Sequence, residues 1–182
     1  MKWVFPLLLL FVCCKKTDDN GYTVYKIKKG EHRSVYSYNR LSENTYYLEC
    51  IFDESAIYTS IDPNNQYDIN KLWGLSDCNK HHMKNSIRFG WRWLNDSLEI
   101  HWFKHEESKF THEKIACIDL NKKVFLSLNI TEDEYQLSVN GKTGSTSRAC
   151  SKDYNKYKLY PYFGGDEVAP HDITIKIKEY YK

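Results

Sequence analysis

Two neighbouring segments place chemistry-bearing residues at a spacing of two. Ser86-Ile87-Arg88-Phe89-Gly90-Trp91-Arg92-Trp93 alternates apolar with polar residues, and Leu98-Glu99-Ile100-His101-Trp102-Phe103-Lys104-His105 follows a similar alternation. Side chains alternate across a β-strand, so Arg88, Gly90 and Arg92 share one face of the first segment, and Glu99, His101, Phe103 and His105 share one face of the second. The Asn95-Asp96 connection has the chemistry of a tight hairpin, which pairs the strands antiparallel. Their apolar faces must then match, and Arg88, Arg92, Glu99, His101 and His105 come to lie on one surface. Guanidinium, carboxylate and imidazole together suit the charge-assisted, bidentate gripping of a sugar's hydroxyls or acidic groups. The alternative is an exterior face of cross-strand ion pairs, each contributing about 0.2–1 kcal/mol. Gly90 is expected to leave room for something to approach the backbone. For acid–base catalysis the candidates are Glu99 and His101, although a lyase or hydrolase needs an acid and a base flanking one bond, and their opposite numbers are not identifiable.

Other reactive residue types form weaker patterns. His81-His82 follow Cys78, and His101 precedes His105, but neither arrangement matches a zinc spacing. Asp166, Glu167 and Asp172 lack the alternation of oxygen ligands found in a calcium loop. No metal and no cofactor is expected. The segment Tyr157 to Asp172 carries Pro161, which marks a strand edge or bulge, and Gly164-Gly165, which demand an unusual backbone path. It reads either as the rim of a site or as a rigid corner that positions the last strand.

The elements that must position these residues are strands. No helix-period segment of useful length follows residue 20, whereas period-two runs bounded by Gly, Pro, Asn and Asp recur. Fifteen tyrosines, eight phenylalanines and five tryptophans favour half-buried pleated surfaces. The spacing predicts strands over 22–28, 46–53, 86–94, 98–105, 114–118, 124–130, 135–139, 157–162 and 173–180, with a turn at Asn140-Gly141 and an irregular stretch over 55–70. The expected fold is an all-β, two-sheet antiparallel sandwich of jelly-roll type, in one domain over 21–182. A net charge of +2, from 26 basic and 24 acidic residues, lacks the single-sign field of a nucleic-acid-binding protein. Cys50, Cys78, Cys117 and Cys150 allow up to two disulfides in three connectivities, or behave as buried thiols.

The N-terminus carries one basic residue and then about ten apolar ones, far short of the roughly 20 needed to span a bilayer, so residues 1–13 are expected to be a signal peptide. The apolar run enters Cys13-Cys14 directly and resembles the lipobox of bacterial lipoproteins. The resemblance implies lipidation at Cys14, with Cys13 as the alternative position, a polar tether over 14–20, and an outer-membrane lipoprotein displayed at the cell surface. An ordinary secretory signal is the competing reading. Asp68-Ile69-Asn70-Lys71-Leu72-Trp73-Gly74-Leu75-Ser76-Asp77, His81-His82 and Asn85 to Trp93, together with Leu159 to Glu167 and Ala169-Pro170-His171-Asp172, resemble a family of uncharacterised Bacteroidetes lipoproteins. That resemblance implies a concanavalin-A-like jelly roll and no particular activity. Three functions follow as expectations: a glycan-binding surface module, a polysaccharide lyase or glycoside hydrolase, and a structural envelope lipoprotein. A groove gathering Arg88, Arg92, Glu99 and His101 would favour the first two; a flat or buried arrangement would favour the third.

Overall fold

Alternating apolar and polar residues generate thirteen strands in the computed structural model, which describes residues 16–35, 37–152 and 154–180. They are β1 (Lys16–Thr17), β2 (Thr23–Ile27), β3 (Arg40–Leu41), β4 (Thr45–Phe52), β5 (Asn70–Ser76), β6 (Asn85–Leu94), β7 (Ser97–Glu106), β8 (Lys109–Ile118), β9 (Val124–Ile130), β10 (Glu134–Val139), β11 (Lys142–Ser147), β12 (Lys156–Leu159) and β13 (Ile173–Tyr180). The signal peptide, Cys13 and Cys14 lie outside the described residues.

Two antiparallel sheets result, one in the order β1-β2-β13-β4-β9-β10-β11 and the other β3-β12-β5-β6-β7-β8. Their inner faces enclose the core, in which Trp73, Trp91, Phe52, Phe89, Leu72 and Ile100 are fully buried. Aromatic contacts cross the interface: Tyr46 meets Trp73, and Phe52 meets Trp91, each with ring centroids 5.2 Å apart. Such tilted pairs contribute about 0.5–1.5 kcal/mol beyond burial of their area. The all-β sandwich expectation holds.

The predicted hairpins form at Asn95-Asp96 and Asn140-Gly141, where all four residues have positive φ, as a two-residue type I′ turn requires. A third such turn, at Glu107-Ser108, carries no glycine or asparagine and joins β7 to β8. β8 starts at Lys109, and the predicted start at Lys114 falls five residues late because that turn is unmarked in the sequence. The stretch over 55–70 holds two short 3-10 turns, Glu54–Ala56 and Pro63–Tyr67, each capped by the preceding aspartate. It ends in β5, which was not predicted because a bulge between Lys71 and Trp73 breaks the alternation. β12 ends at Leu159, before Pro161; Tyr162 instead makes isolated bridges to Arg33 and Lys71. The expected tether region contains β1 and a turn in which Asp18 accepts from the Asn20 and Tyr22 amides and pairs with Lys176. Cys78 and Cys150 form a disulfide, while Cys50 is a buried thiol and Cys117 an exposed one. Among the described residues no helix is long and apolar enough to cross a membrane.

Candidate functional site

The β6–β7 register pairs Ser86 with His105, Arg88 with Phe103, Gly90 with His101 and Arg92 with Glu99. Those residues therefore share the outer face of the six-stranded sheet, as the alternation requires. β5 adds Lys71 opposite Gly90, and β8 adds Phe110 opposite His105 and His112 opposite Phe103. Loops from Arg33, Tyr67 to Ile69, His81 to Met83 and Tyr162 to Asp166 rise around this face and enclose a cleft of about 640 Å³.

The five expected ligand-binding residues divide into two groups. Arg88 and His105 line the cleft. Arg92, Glu99 and His101 instead form a network beside it. The Glu99 carboxylate accepts from Arg92 Nε at 2.7 Å and Lys114 Nζ at 3.0 Å, and lies 3.1 Å from His101 Nε2. Burial alone would raise the Glu99 pKa, but these hydrogen bonds outweigh it and hold the carboxyl at about 2. His101 is almost wholly buried, its pKa is pushed down to about 4 by burial, and its Nδ1 lies 3.4 Å from His112 Nδ1. A carboxylate shared by three donors and an enclosed imidazole form a scaffold that fixes the sheet face. Arg92 also donates to the Tyr67 carbonyl at 3.0 Å and so anchors the adjoining loop.

The cleft lining carries the cations Arg33, Lys71 and Arg88 and the carboxylates Asp68 and Asp166, and of the cations Lys71 and Arg88 are the largely buried ones. Gly74 lies opposite Arg88, and a Cβ there would sit 2.6 Å from Arg88 Cα and 2.7 Å from its Cγ, so the glycine makes the arginine's path possible. The guanidinium donates to the Tyr160 carbonyl, its Nε has no hydrogen-bond partner, and burial pushes its pKa down to about 9. Lys71 donates to the Gly164 carbonyl at 3.0 Å and lies 4.8 Å from the Phe103 ring centroid; burial lowers its pKa to about 8. Neither has a carboxylate within ion-pairing distance among the described residues. Burial also lowers His82 and His105 to about 4, and His105 Nδ1 is buried without a partner. Phe110, 62% exposed, stacks on Phe103 at 5.5 Å and lines the cleft. The arrangement can receive an anionic group against Arg88 and Lys71 and a flat apolar face against Phe110.

Gly90 does not leave its backbone open, because Ile69 fills the space: a Cβ on Gly90 would lie 2.3 Å from Ile69 Cγ2. The glycine loop joins the cleft wall. Gly164 has φ +77, its amide donates to Asn70, and the backbone of Tyr162 exchanges two hydrogen bonds with Lys71. The corner and rim readings of this segment thus coincide. Lys71, Phe110 and His112 line the cleft although they were not singled out as site residues, and they are joined by His82, weighed only against a zinc spacing, and by Tyr162 of the expected rim segment. The period of two running through Phe110, His112 and Lys114 was the available signal for β8; Lys71 was hidden by the bulge. Glu167 is occupied by the Ile61 and Asp62 amides and Asn65, and Asp172 by Lys26 and Lys28. Asp77, Cys78 and Cys150 cluster closely, but the cysteines are joined to each other and Asp77 receives Tyr135 and Arg148.

Fold and cleft together define a jelly-roll β-sandwich with a cleft on the outer face of one sheet. No protein-family model matches the chain, and no curated protein sequence does. Among solved structures, the fold is similar to the alginate lyase AlyC3, with TM-score 0.61 and 12% identity over 90% of this chain and 75% of that one. It is also similar to the catalytic domain of an endo-1,3-beta-glucanase (laminarinase) from Thermotoga petrophila, with TM-score 0.57 and 12% identity over 88% of this chain and 76% of that one. A third similar structure is the alginate lyase A1-II′ of polysaccharide lyase family 7, with TM-score 0.58 and 9% identity over 90% of this chain and 81% of that one.

Proposed function

We propose that the protein is a carbohydrate-binding module that takes an acidic saccharide in the cleft over Lys71 and Arg88. The observation that carries this reading is a pair of largely buried cations without carboxylate partners, set beside an exposed aromatic ring. A buried guanidinium held without a counter-charge costs stability unless a ligand supplies one. The jelly-roll neighbours, which include alginate lyases and a laminarinase, support a saccharide as that ligand. Isothermal titration with alginate, polygalacturonate, hyaluronan and neutral laminarin tests it. Binding of an acidic polymer but not laminarin is expected, weakened about tenfold or more in Lys71→Met, since a charge-assisted hydrogen bond contributes ~1.5–3 kcal/mol. Silence across the panel, or preference for laminarin, would overturn the reading.

A catalytic reading is favoured by one observation, the placement of the His105 imidazole on the cleft wall, where burial holds its pKa down to about 4. An elimination on a uronate would use that imidazole as proton acceptor, whereas Glu99 lies outside the cleft, committed to Arg92, Lys114 and His101. Unsaturated products released from the bound polymer and lost in His105→Ala would establish it. The proposal extends to location: a signal peptide over 1–13 and a lipid on Cys14 would display the module at the outer membrane. Labelled palmitate incorporated by the full chain and lost in Cys14→Ala is the expected result; loss in Cys13→Ala alone would move the anchor by one residue.

A further inference from the structure

A second hollow, of about 390 Å³, opens beside the cleft at the β6–β7 hairpin. Tyr67 lines both hollows, so the two adjoin at that side chain. The chemistry of the second differs from that of the first. Its wall holds the aromatic rings of Tyr67 and Trp93 and the polar groups of Thr59, Ser60, Asn95 and Asp96, with no lysine or arginine. Tyr67 is 63% exposed, yet its loop is built to stay in place. Gln66 accepts from the Ser60 amide at 2.8 Å and donates to the Trp93 carbonyl at 2.6 Å. Glu167 accepts from the Ile61 and Asp62 amides, and Arg92 holds the Tyr67 carbonyl. An exposed aromatic ring on a pre-ordered loop loses little entropy when a flat apolar surface stacks on it.

We infer that this hollow is a subsite for an uncharged sugar ring, adjacent to the acidic residue held in the cleft. Tyr67 and Trp93 supply apolar faces for the ring, while the hydroxyl and amide groups take its hydroxyls. A carboxylate is disfavoured there, because Asp96 carries like charge and no cation lines the wall. The ligand class is therefore an acidic heteropolysaccharide, in which a uronate is followed by a neutral sugar. This inference rests on the cleft binding an acidic saccharide.

Titration of the full chain with two hexasaccharides separates the two readings: a hyaluronan fragment, which alternates uronate with neutral N-acetylhexosamine, and oligomannuronate, in which every ring is acidic. The hyaluronan hexamer is expected to bind more tightly. Tyr67→Ala, at an exposed position, should weaken hyaluronan binding by about three- to tenfold, the range that aromatic stacking supplies, and oligomannuronate binding by clearly less, because for that ligand Tyr67 borders the cleft alone. Equal affinity for the two hexamers, a preference for oligomannuronate, or a Tyr67→Ala effect that is absent or the same for both would overturn the neutral subsite while the cleft reading stands. Failure of both hexamers to bind would overturn the two together.

Discussion

At the scale of single residues, desolvation without compensating charge is what distinguishes the cleft. Lys71 titrates at about 8 because burial outweighs the attraction of Asp68. An anionic ligand would raise that pKa, so binding takes up a proton once the free lysine is neutral. Affinity for an acidic oligosaccharide should accordingly be flat from pH 6.5 to 7.5 and fall above about pH 8, and Lys71→Met should remove the part of the decline that sets in near pH 8, below the value of about 9 held by Arg88; titrations at several pH values check this. Glu99 shows the opposite behaviour, with donors in excess. Glu99→Gln strips the carboxylate from Arg92, Lys114 and His101 and should destabilise the fold by about 3 kcal/mol in urea unfolding, as expected when one partner of a buried pair is removed. The same group sets an acid limit. Its pKa is depressed in the folded state, so the stability it contributes is present above the unfolded value of about 4.5 and lost as pH falls toward 2. His82, His101 and His105 act in the same direction at higher pH. Their folded values near 4 lie below 6.5, so stability falls as pH drops between those limits.

At the scale of elements, the close approach of β5 to β6 decides where Arg88 can lie. Gly74→Ala would place a Cβ 2.2 Å from the Ile87 carbonyl oxygen as well as against Arg88. The strands must separate or the arginine must move, at a cost of about 1–3 kcal/mol. Loss of saccharide binding together with a lowered denaturation midpoint is the expected outcome. The pairing of β6 with β7 was legible because the side chains from Ile87 to Trp93 and from Leu98 to Trp102 alternate and the Asn95-Asp96 turn is explicit, which together give the observed register. β5 was not legible because its bulge shifts Lys71 relative to Trp73, and a period of two cannot survive an inserted residue. The start of β8 was missed for a different reason: Glu107 and Ser108 adopt positive φ without the residue types that announce such a turn.

At the scale of the molecule, the Cys78–Cys150 bond joins positions 72 residues apart. It connects the β5–β6 loop, whose His81 to Met83 segment walls the cleft, to the chain between β11 and β12. Beside it Asp77 receives Tyr135 and Arg148, so the clasp is reinforced by a buried ion pair. In a chain-entropy estimate, closing a loop of this length stabilises the fold by about 4 kcal/mol. Reduction should lower the thermal midpoint by several degrees, and the paired Cys78→Ala, Cys150→Ala variant should match the reduced protein while no longer responding to reductant. Cys50 does not enter this comparison, because burial pushes its thiol pKa well up and leaves it unreactive.

The sequence alone determined the all-β sandwich, the β6–β7 pair and the shared face of Arg88, Arg92, Glu99, His101 and His105, because each depends on a local period of two and a short turn. The tertiary structure decided what that face does. It sent Arg88 and His105 into a cleft with Lys71, tied Arg92, Glu99 and His101 into an internal network, filled the space over Gly90 with Ile69, and chose one disulfide among the possible pairings. Alternation specifies the side of a sheet on which a side chain projects. Whether it then meets solvent, a counter-charge or another loop depends on segments distant in the chain, and no local pattern encodes their arrival.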